Sequence, residues 1–487
     1  MDFTHLDCGD VSPLGPRHAC RGEKCGHVRA FQILPRFFWT NFLAGRNVKT
    51  MKRGGLQITL LIILIGLIVT CFGSLARKSQ PEPMFQGEPV SVWVEKYDPY
   101  MMSEEGFAQL QGEMREIGTN SLPTLMEMLQ RKESPTKRWL YEFAWAHELG
   151  FLKTRLSDFP EQAKQMGDSR RCAAIAFEAL GTNANPVIPE LTRLLDDREL
   201  SQEVAHALAA IGPDALPPLL KGMESKDPEI RRDVAYALSL RASQAKVVVP
   251  VLVKALNGDP DTQVRDAAAQ SLGEIHQFPN LAVPPLVKTL SDCGDSDIHY
   301  EAAMALGKFG DAAESAIPAL IEATKESQDW VRLYAVESLG SIKKSPETVV
   351  PVLIKALDDH DYEVRFMAAD ALGNFGDKAA SAVPRLSEAA EDENAMVRRS
   401  AVGSLGEMTN MSDKVAPILI EKLKDPDDTV RYATALALGQ LDHEAAVVPA
   451  LLNALKENEG LAKRGAVQAL GNLTQSSQNS GIVVLAS

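Results

Sequence analysis

The stretch VVPVLIKALDDHDYEVRFMAADALGNFG, residues 349–376, decides the fold. Val349, Val352, Leu353, Ala356 and Leu357 follow the i, i+3, i+4, i+7, i+8 spacing of one face of an α-helix. This reading puts Pro351 in the first turn, where its missing N–H has no partner to lose. A second stripe follows, Val364, Ala368, Ala371, Leu372 and Phe375, and its alanines let another helix come close. Gly373 and Gly376 read as end signals of that helix. Two short helices cannot bury both stripes on each other, so the unit needs copies of itself to stack on.

The copies are present on both sides. A phrase of a small residue, an apolar residue, Pro, any residue and Leu recurs with its proline at 189, 217, 250, 284, 318, 351, 384, 417 and 449. Successive spacings are 28, 33, 34, 34, 33, 33, 33 and 32 residues, and a further copy lies at Pro123. In the second helices Asp227, Asp261, Asp295, Asp361 and Asp427 stand four residues before Arg231, Arg265, His299, Arg365 and Arg431. Gln328 and Asn394 hold the same place before Arg332 and Arg398. A side-chain oxygen at that position can cap the helix that follows. Repeated in register, the Asp and Arg column reads as a ladder stitching adjacent units rather than as a binding surface.

These phrases resemble HEAT repeats of the short bacterial type also seen in phycobiliprotein-lyase-like proteins, with Pro in the first helix and D-x-x-V-R-x-x-A-A-x-A-L-G in the second. The resemblance covers roughly residues 88–475 and implies an all-α, right-handed solenoid of about eleven helix pairs. It is specific for fold and nearly silent on activity. A period near 33 also suits ankyrin and tetratricopeptide units, but their T-P-L-H and W-x-x-L-G phrases are absent.

Composition agrees with a stacked array. The chain has 487 residues, more than one ordinary core holds, with 45% hydrophobic and 24% charged residues. That balance excludes a largely disordered chain and a polytopic membrane protein, and 6% aromatics fit an interior of small residues. Six cysteines in this length exclude a disulfide scaffold. The net charge is -14, and residues 79–487 carry 40 basic and 61 acidic side chains, a net of -21, so nucleic acid is a disfavoured partner.

Leu56 to Ala76 is free of charged residues and long enough to cross a bilayer as a helix. Arg46, Lys49, Lys52 and Arg53 precede it and Arg77 and Lys78 follow, so the sequence predicts a single-pass anchor at 56–76 with residues 1–55 cytoplasmic and the solenoid exported. Two alternatives stay open: a signal starting at Met51 and cleaved near Ala76, which would release the protein, and lipidation at Cys71. Residues 1–55 read as a disordered segment or a start mis-assigned upstream of Met51. Their Cys8, His18, Cys20, Cys25 and His27 match no paired-Cys zinc spacing. Residues 77–87 read as a linker, 88–475 as the solenoid and 476–487 as a flexible tail.

Near 131–168 the period is stretched by an insertion holding Trp139, Tyr141, Phe143, Trp145, Phe151 and Phe159. It is either a ligand-facing protrusion or an enlarged repeat that buries its own aromatics, and its helical pattern favours the second.

No nucleophile, phosphate-binding or zinc-protease motif is present. His147-Glu148 and His443-Glu444 are similar to the dyads of deoxyhypusine hydroxylase, but that family uses four in register, and here His299 is followed by Tyr300 before Glu301. Cys172 and Cys293 lie in or beside helices and read as buried or free thiols. No catalytic residue, metal or cofactor is expected. The position after the register arginine faces away from the core stripe and reads Arg232, Asp266, Tyr300, Leu333, Phe366, Arg399, Tyr432 and Arg464. Tyr, Phe and Arg dominate interface energies, so this column is the candidate protein-binding face; covering neighbouring repeats is the competing role. The sequence thus predicts a non-enzymatic scaffold binding a protein or peptide, basic or amphipathic in character. The alternative is a HEAT-like enzyme handling a metal or a tetrapyrrole.

Overall fold

The computed structural model describes residues 82–97, 102–132, 135–146, 157–292, 296–441, 444–457 and 460–479. Packing divides the chain after Glu82, and the described residues beyond it belong to one unit, Pro83–Ser487. A hairpin of Met84–Phe85 with Glu88–Pro89 leads into helices Val90–Val94 and Glu104–Ile117. Leu122–Leu129 then packs on the long helix Phe159–Leu180, with Pro135–Ala146 between them in sequence and only lightly held. From there the pattern is regular. First and second helices alternate as Ile188–Leu194 with Ser201–Ile211, Leu216–Gly222 with Pro228–Leu238, Ala245–Gly258 with Thr262–Ile275, and Pro279–Ser291 with Ser296–Lys308. The series continues as Ile317–Ala323 with Asp329–Ile342, Pro346–Ala356 with Tyr362–Phe375, Val383–Ala389 with Ala395–Gly406, Ser412–Lys422 with Asp428–Leu438, and Glu444–Glu457 with Gly460–Asn479.

The apolar stripes form one continuous core along the stack. In the quoted repeat Val349, Val350, Leu353 and Leu357 are buried, while Val352 and Ala356 are half-buried, so the first-helix stripe is rotated slightly from the sequence reading. Pro351 is not in a first turn. It is the sixth residue of Pro346–Ala356, and Pro250, Pro284, Pro417 and Pro449 are likewise internal. Pro189, Pro217, Pro318 and Pro384 do sit at helix starts, because a 3-10 turn replaces the preceding α-turn in those repeats. The proline keeps its place in the repeat; what varies is whether the α-helix begins one residue before it, as at Ile188, Leu216, Ile317 and Val383, or five residues before it, as at Ala245, Pro279, Pro346, Ser412 and Glu444.

Gly373 does more than end a helix. It lies inside Tyr362–Phe375, whereas Gly376, at φ 51°, makes the terminating turn. Gly273, Gly307, Gly340, Gly373, Gly406 and Gly439 form a column, and a Cβ on any of them would fall 2.5–2.8 Å from Ala305, Ser338, Ala371, Ser404, Ala437 or Ala469 of the next second helix. Real Cβ atoms do not approach so closely, so glycine is what lets successive second helices touch. Ser271, Ser338 and Ser404 add hydroxyl hydrogen bonds of 2.7–2.8 Å to the carbonyls of Ala235, Ala303 and Ala369 on the preceding second helix. Pairs of second helices are the most heavily packed in the stack, and first helices are less tightly apposed. A stack spaced more closely along one edge bends toward that edge, which puts the second helices on the inner face.

The polar column divides its labour. Asp227, Asp261, Asp361, Asn394 and Asp427 cap their own second helices, accepting from the N–H of Glu229, Gln263, Glu363, Met396 and Thr429 at 2.7–3.0 Å. The arginines reach elsewhere. Arg231, Arg332, Arg365 and Arg398 donate to Asp259, Asp359, Asp392 and Asp425 of the following repeat, each through two nitrogens at 2.7–3.1 Å. Each also donates to a carbonyl six residues upstream, as do Arg265 and Arg431. The stitching carboxylates are therefore those two residues before the caps, not the caps. Burial alone would raise their pKa, but the arginine hydrogen bonds and the backbone N–H two residues on outweigh it and hold all four below the ordinary range.

Among the described residues no helix is long and apolar enough to cross a membrane. Even Phe159–Leu180, with 22 residues, carries Glu161, Lys164, Asp168, Arg170, Arg171 and Glu178, and it is chiefly its C-terminal half that is buried in the stack. The single-pass localisation with an exported solenoid is accordingly not supported. Segment 56–76 and residues 1–55, with Cys8, His18, Cys20, Cys25 and His27, lie outside the described residues, as do the tail beyond 479 and Cys71.

Candidate functional site

A second helix that buries Val364, Ala368, Leu372 and Phe375 turns the opposite strip toward the inner face, and residues four apart share that strip. On three neighbouring second helices the strip reads Phe366, Asp370, Asn374; then Arg399, Gly403, Glu407; then Tyr432, Leu436, Gln440. Together with Lys343 these residues line a cavity of about 830 Å³. Position 403, in the middle of the cavity's lining, is glycine. Asp370 and Leu436 fill the equivalent place on either side, and a Cβ at Gly403 would meet no atom within 4 Å. In its floor lies Ser400, only 9% exposed, whose hydroxyl has no hydrogen-bond partner.

The charges around this groove are balanced. Surrounding protein raises the Asp370 carboxyl above its ordinary range, opposed by the nearby charges of Arg399 and Lys343. Glu407 accepts from the Gln440 amide at 3.0 Å. Toward the N-terminal side the inner face turns acidic and aromatic. Glu337 is held high by burial and then by Asp370, with Lys308 opposing. Glu301 is 7% exposed and held high chiefly by burial, and the rings of Tyr300 and Tyr334 lie 5.7 Å apart beside it. Burial first, then the hydrogen bond to Glu301, pushes the Tyr300 phenol up.

The structure thus brings Phe366, Arg399 and Tyr432 together at one cavity and places Tyr300 on the same face farther along. Arg232 instead braces its neighbours, donating to Asp233 at 2.8 Å and Gln263 at 3.2 Å. Asp266 and Leu333 are half-buried, and Arg464 is exposed on the last helix. Sequence reasoning missed Gly403 and Ser400. The available signal was the position four residues after the candidate column, which reads Tyr236, Gln270, Met304, Glu337, Asp370, Gly403 and Leu436, with one glycine among larger side chains.

The inserted helix Pro135–Ala146 does not bury its aromatics as its pattern suggested. Trp139 stacks on Phe143 at 5.3 Å and Tyr141 on Trp145 at 4.7 Å, yet Trp139 and Trp145 remain 53% and 47% exposed. The spacing supplies two i, i+4 stacks on the helix itself, and a contact of Tyr141 with Phe159 at 5.3 Å ties it to the array.

Family models for HEAT repeats match residues 163–239, 188–273, 249–340, 317–406, 350–421 and 416–480. The chain is a HEAT-repeat protein. Among curated proteins there is no match. Solved structures of similar fold include an engineered protein, 24% identical over 63% of this chain and 96% of that one, with a TM-score of 0.40. The CpcE and CpcF complex of phycocyanin lyase from Nostoc sp. PCC7120 is 19% identical over 53% of this chain and 93% of that one, with a TM-score of 0.33. Kap121p bound to Pho4p is 14% identical over 80% of this chain and 52% of that one, with a TM-score of 0.48. Within the HEAT repeats Cys172 is buried, its thiol 3.5 Å from the Tyr97 carbonyl. Among the described residues no group of three His, Cys, Asp or Glu could hold a metal ion. His147, Glu148, Cys293 and His443 lie outside the described residues.

Proposed function

We propose that this HEAT-repeat chain is a non-enzymatic scaffold whose second-helix face binds a protein or peptide partner of basic or amphipathic character. The observation that carries the reading is the convergence of Phe366, Arg399 and Tyr432 on one open cavity of the inner face. Aromatic and arginine side chains at a concave, partly desolvated patch are the residues that dominate binding energies, and a stacked array offers them along a continuous surface. The acidic stretch around Glu301 and Glu337 favours a cationic partner.

The test is quantitative co-purification from the native host with three forms of the full chain: the unmodified protein, Phe366→Ala with Tyr432→Ala, and Val247→Ala with Leu452→Ala. Val247 and Leu452 are exposed on first helices and serve as controls. A protein enriched by the first and third forms and lost at least tenfold from the second is the expected result. Equal enrichment by all three would refute the reading. Bound iron or a coloured ligand in the purified chain would favour the enzymatic alternative instead.

A further inference from the structure

We infer that the groove at Gly403 is an anchor subsite for one bulky apolar side chain of an extended partner segment whose flanking residues on the Glu337 side are lysine or arginine. The inference rests on the protein-binding reading of the second-helix face and assigns the partner's chemistry there. Two observations lead to it. At Gly403 the strip lacks a side chain, whereas Asp370 and Leu436 occupy the equivalent place on the adjoining helices, and a Cβ there meets nothing. Its walls are the apolar surfaces of Phe366, Tyr432 and Leu436, so a water-filled groove there leaves apolar area uncovered.

The polar groups decide between kinds of occupant. Lys343 and Arg399 face Asp370 and Glu407, two charges of each sign, which gives neither a phosphate nor a metal ion a net field to bind in. A neutral peptide main chain suits that balance. Beyond Asp370 the face continues into Glu337, Glu301 and Glu274, with Lys308 engaged by Glu274, so cationic residues belong on that side of the anchor. Helices packed about 10 Å apart put the anchor and Glu301 some 30 Å from end to end, roughly nine extended residues.

The experiment uses the full chain and fluorescein-labelled twelve-residue peptides alternating lysine and serine, with a tryptophan or an alanine third from either end, read by anisotropy. The tryptophan peptide in one orientation should bind at least about tenfold tighter than its alanine counterpart, the gain expected from burying one large apolar side chain. Gly403→Leu, which puts a side chain into the gap, should erase that difference while leaving the far-ultraviolet circular dichroism unchanged. Equal binding of tryptophan and alanine peptides to the unmodified chain, or discrimination that survives in Gly403→Leu, overturns the anchor. Equal or tighter binding when glutamate replaces every lysine overturns the cationic flank. The broader reading is separable. If Tyr300→Ala weakens the alanine peptide but tryptophan adds nothing, the face binds and the anchor is wrong; if no peptide binds, both are wrong.

Discussion

Two glycines three residues apart in the helix Ala395–Gly406 should respond to the same substitution with opposite signs. A methyl on Gly406 would lie 2.6 Å from the Ala437 Cβ and 2.8 Å from its Cα, whereas a methyl on Gly403 meets open space. Ordinary carbon contacts are about 3.5–4.0 Å, so Gly406→Ala must push the next second helix away by about 1 Å. Overpacking of this kind costs about 1–3 kcal/mol, and the obstacle is backbone, which cannot rotate aside. Against it stands the gain from replacing a helical glycine by alanine, at most about 1 kcal/mol and smaller at the last residue of a helix. Gly406→Ala should therefore be destabilising by about 1–2 kcal/mol, and Gly403→Ala stabilising by about 0.5–1 kcal/mol. Urea unfolding followed by circular dichroism, with both variants on the full chain, reads the two signs directly. Destabilisation by both, or stabilisation by Gly406→Ala, would refute the claim that glycine sets the spacing of the second helices.

Other outcomes follow from the same contacts. Asp425→Ala should cost about 3–5 kcal/mol in urea unfolding, because it strands the largely buried Arg398, while Arg398→Met combined with Asp425→Leu should lose much less. Stability should depend on pH non-monotonically. Glu301 and Glu337 are held above the ordinary 4.5, so the folded state binds protons first and the urea midpoint should rise as pH falls from neutral toward that value. Asp259, Asp359, Asp392 and Asp425 are held below 3.8, so their stabilisation is complete above that value and lost as pH falls beneath it; a midpoint that declines steadily from neutral pH would contradict this. Ser338→Ala should cost about 1 kcal/mol through the lost bond to the Ala303 carbonyl, measured in the same assay.

The repeat, its helix pairing and its core were legible because a period near 33 with apolar residues at helical spacing leaves few alternatives. What a period cannot show is the offset between copies. It identifies Asp361 and Arg365 as recurring residues, but not that Arg365 crosses to Asp392 while Asp361 stays to cap its own helix. Gly373 read as punctuation for the same reason, since its role depends on Ser404 in the next repeat. Pro351 was placed one turn too early because the chain before it continues as helix instead of as a 3-10 hook, a choice made by the residues upstream. Phe366, Arg399 and Tyr432 could be named from their register, yet the groove between them also runs over Gly403, a residue lacking any side chain to draw notice. The aromatics of 135–146 have the spacing to bury one another, but the insertion touches the array along too little of its length to cover them.

The central claim is that the second-helix face, and not the outer face, meets a partner. Site-specific photo-crosslinking on the full chain in its native host tests it most directly, with benzoyl-phenylalanine at position 399 on the inner face and at position 247 on an exposed first-helix site. A discrete crosslinked protein from position 399, absent from position 247, is the predicted result. The same product from both positions, or a discrete product from position 247 alone, would contradict the account.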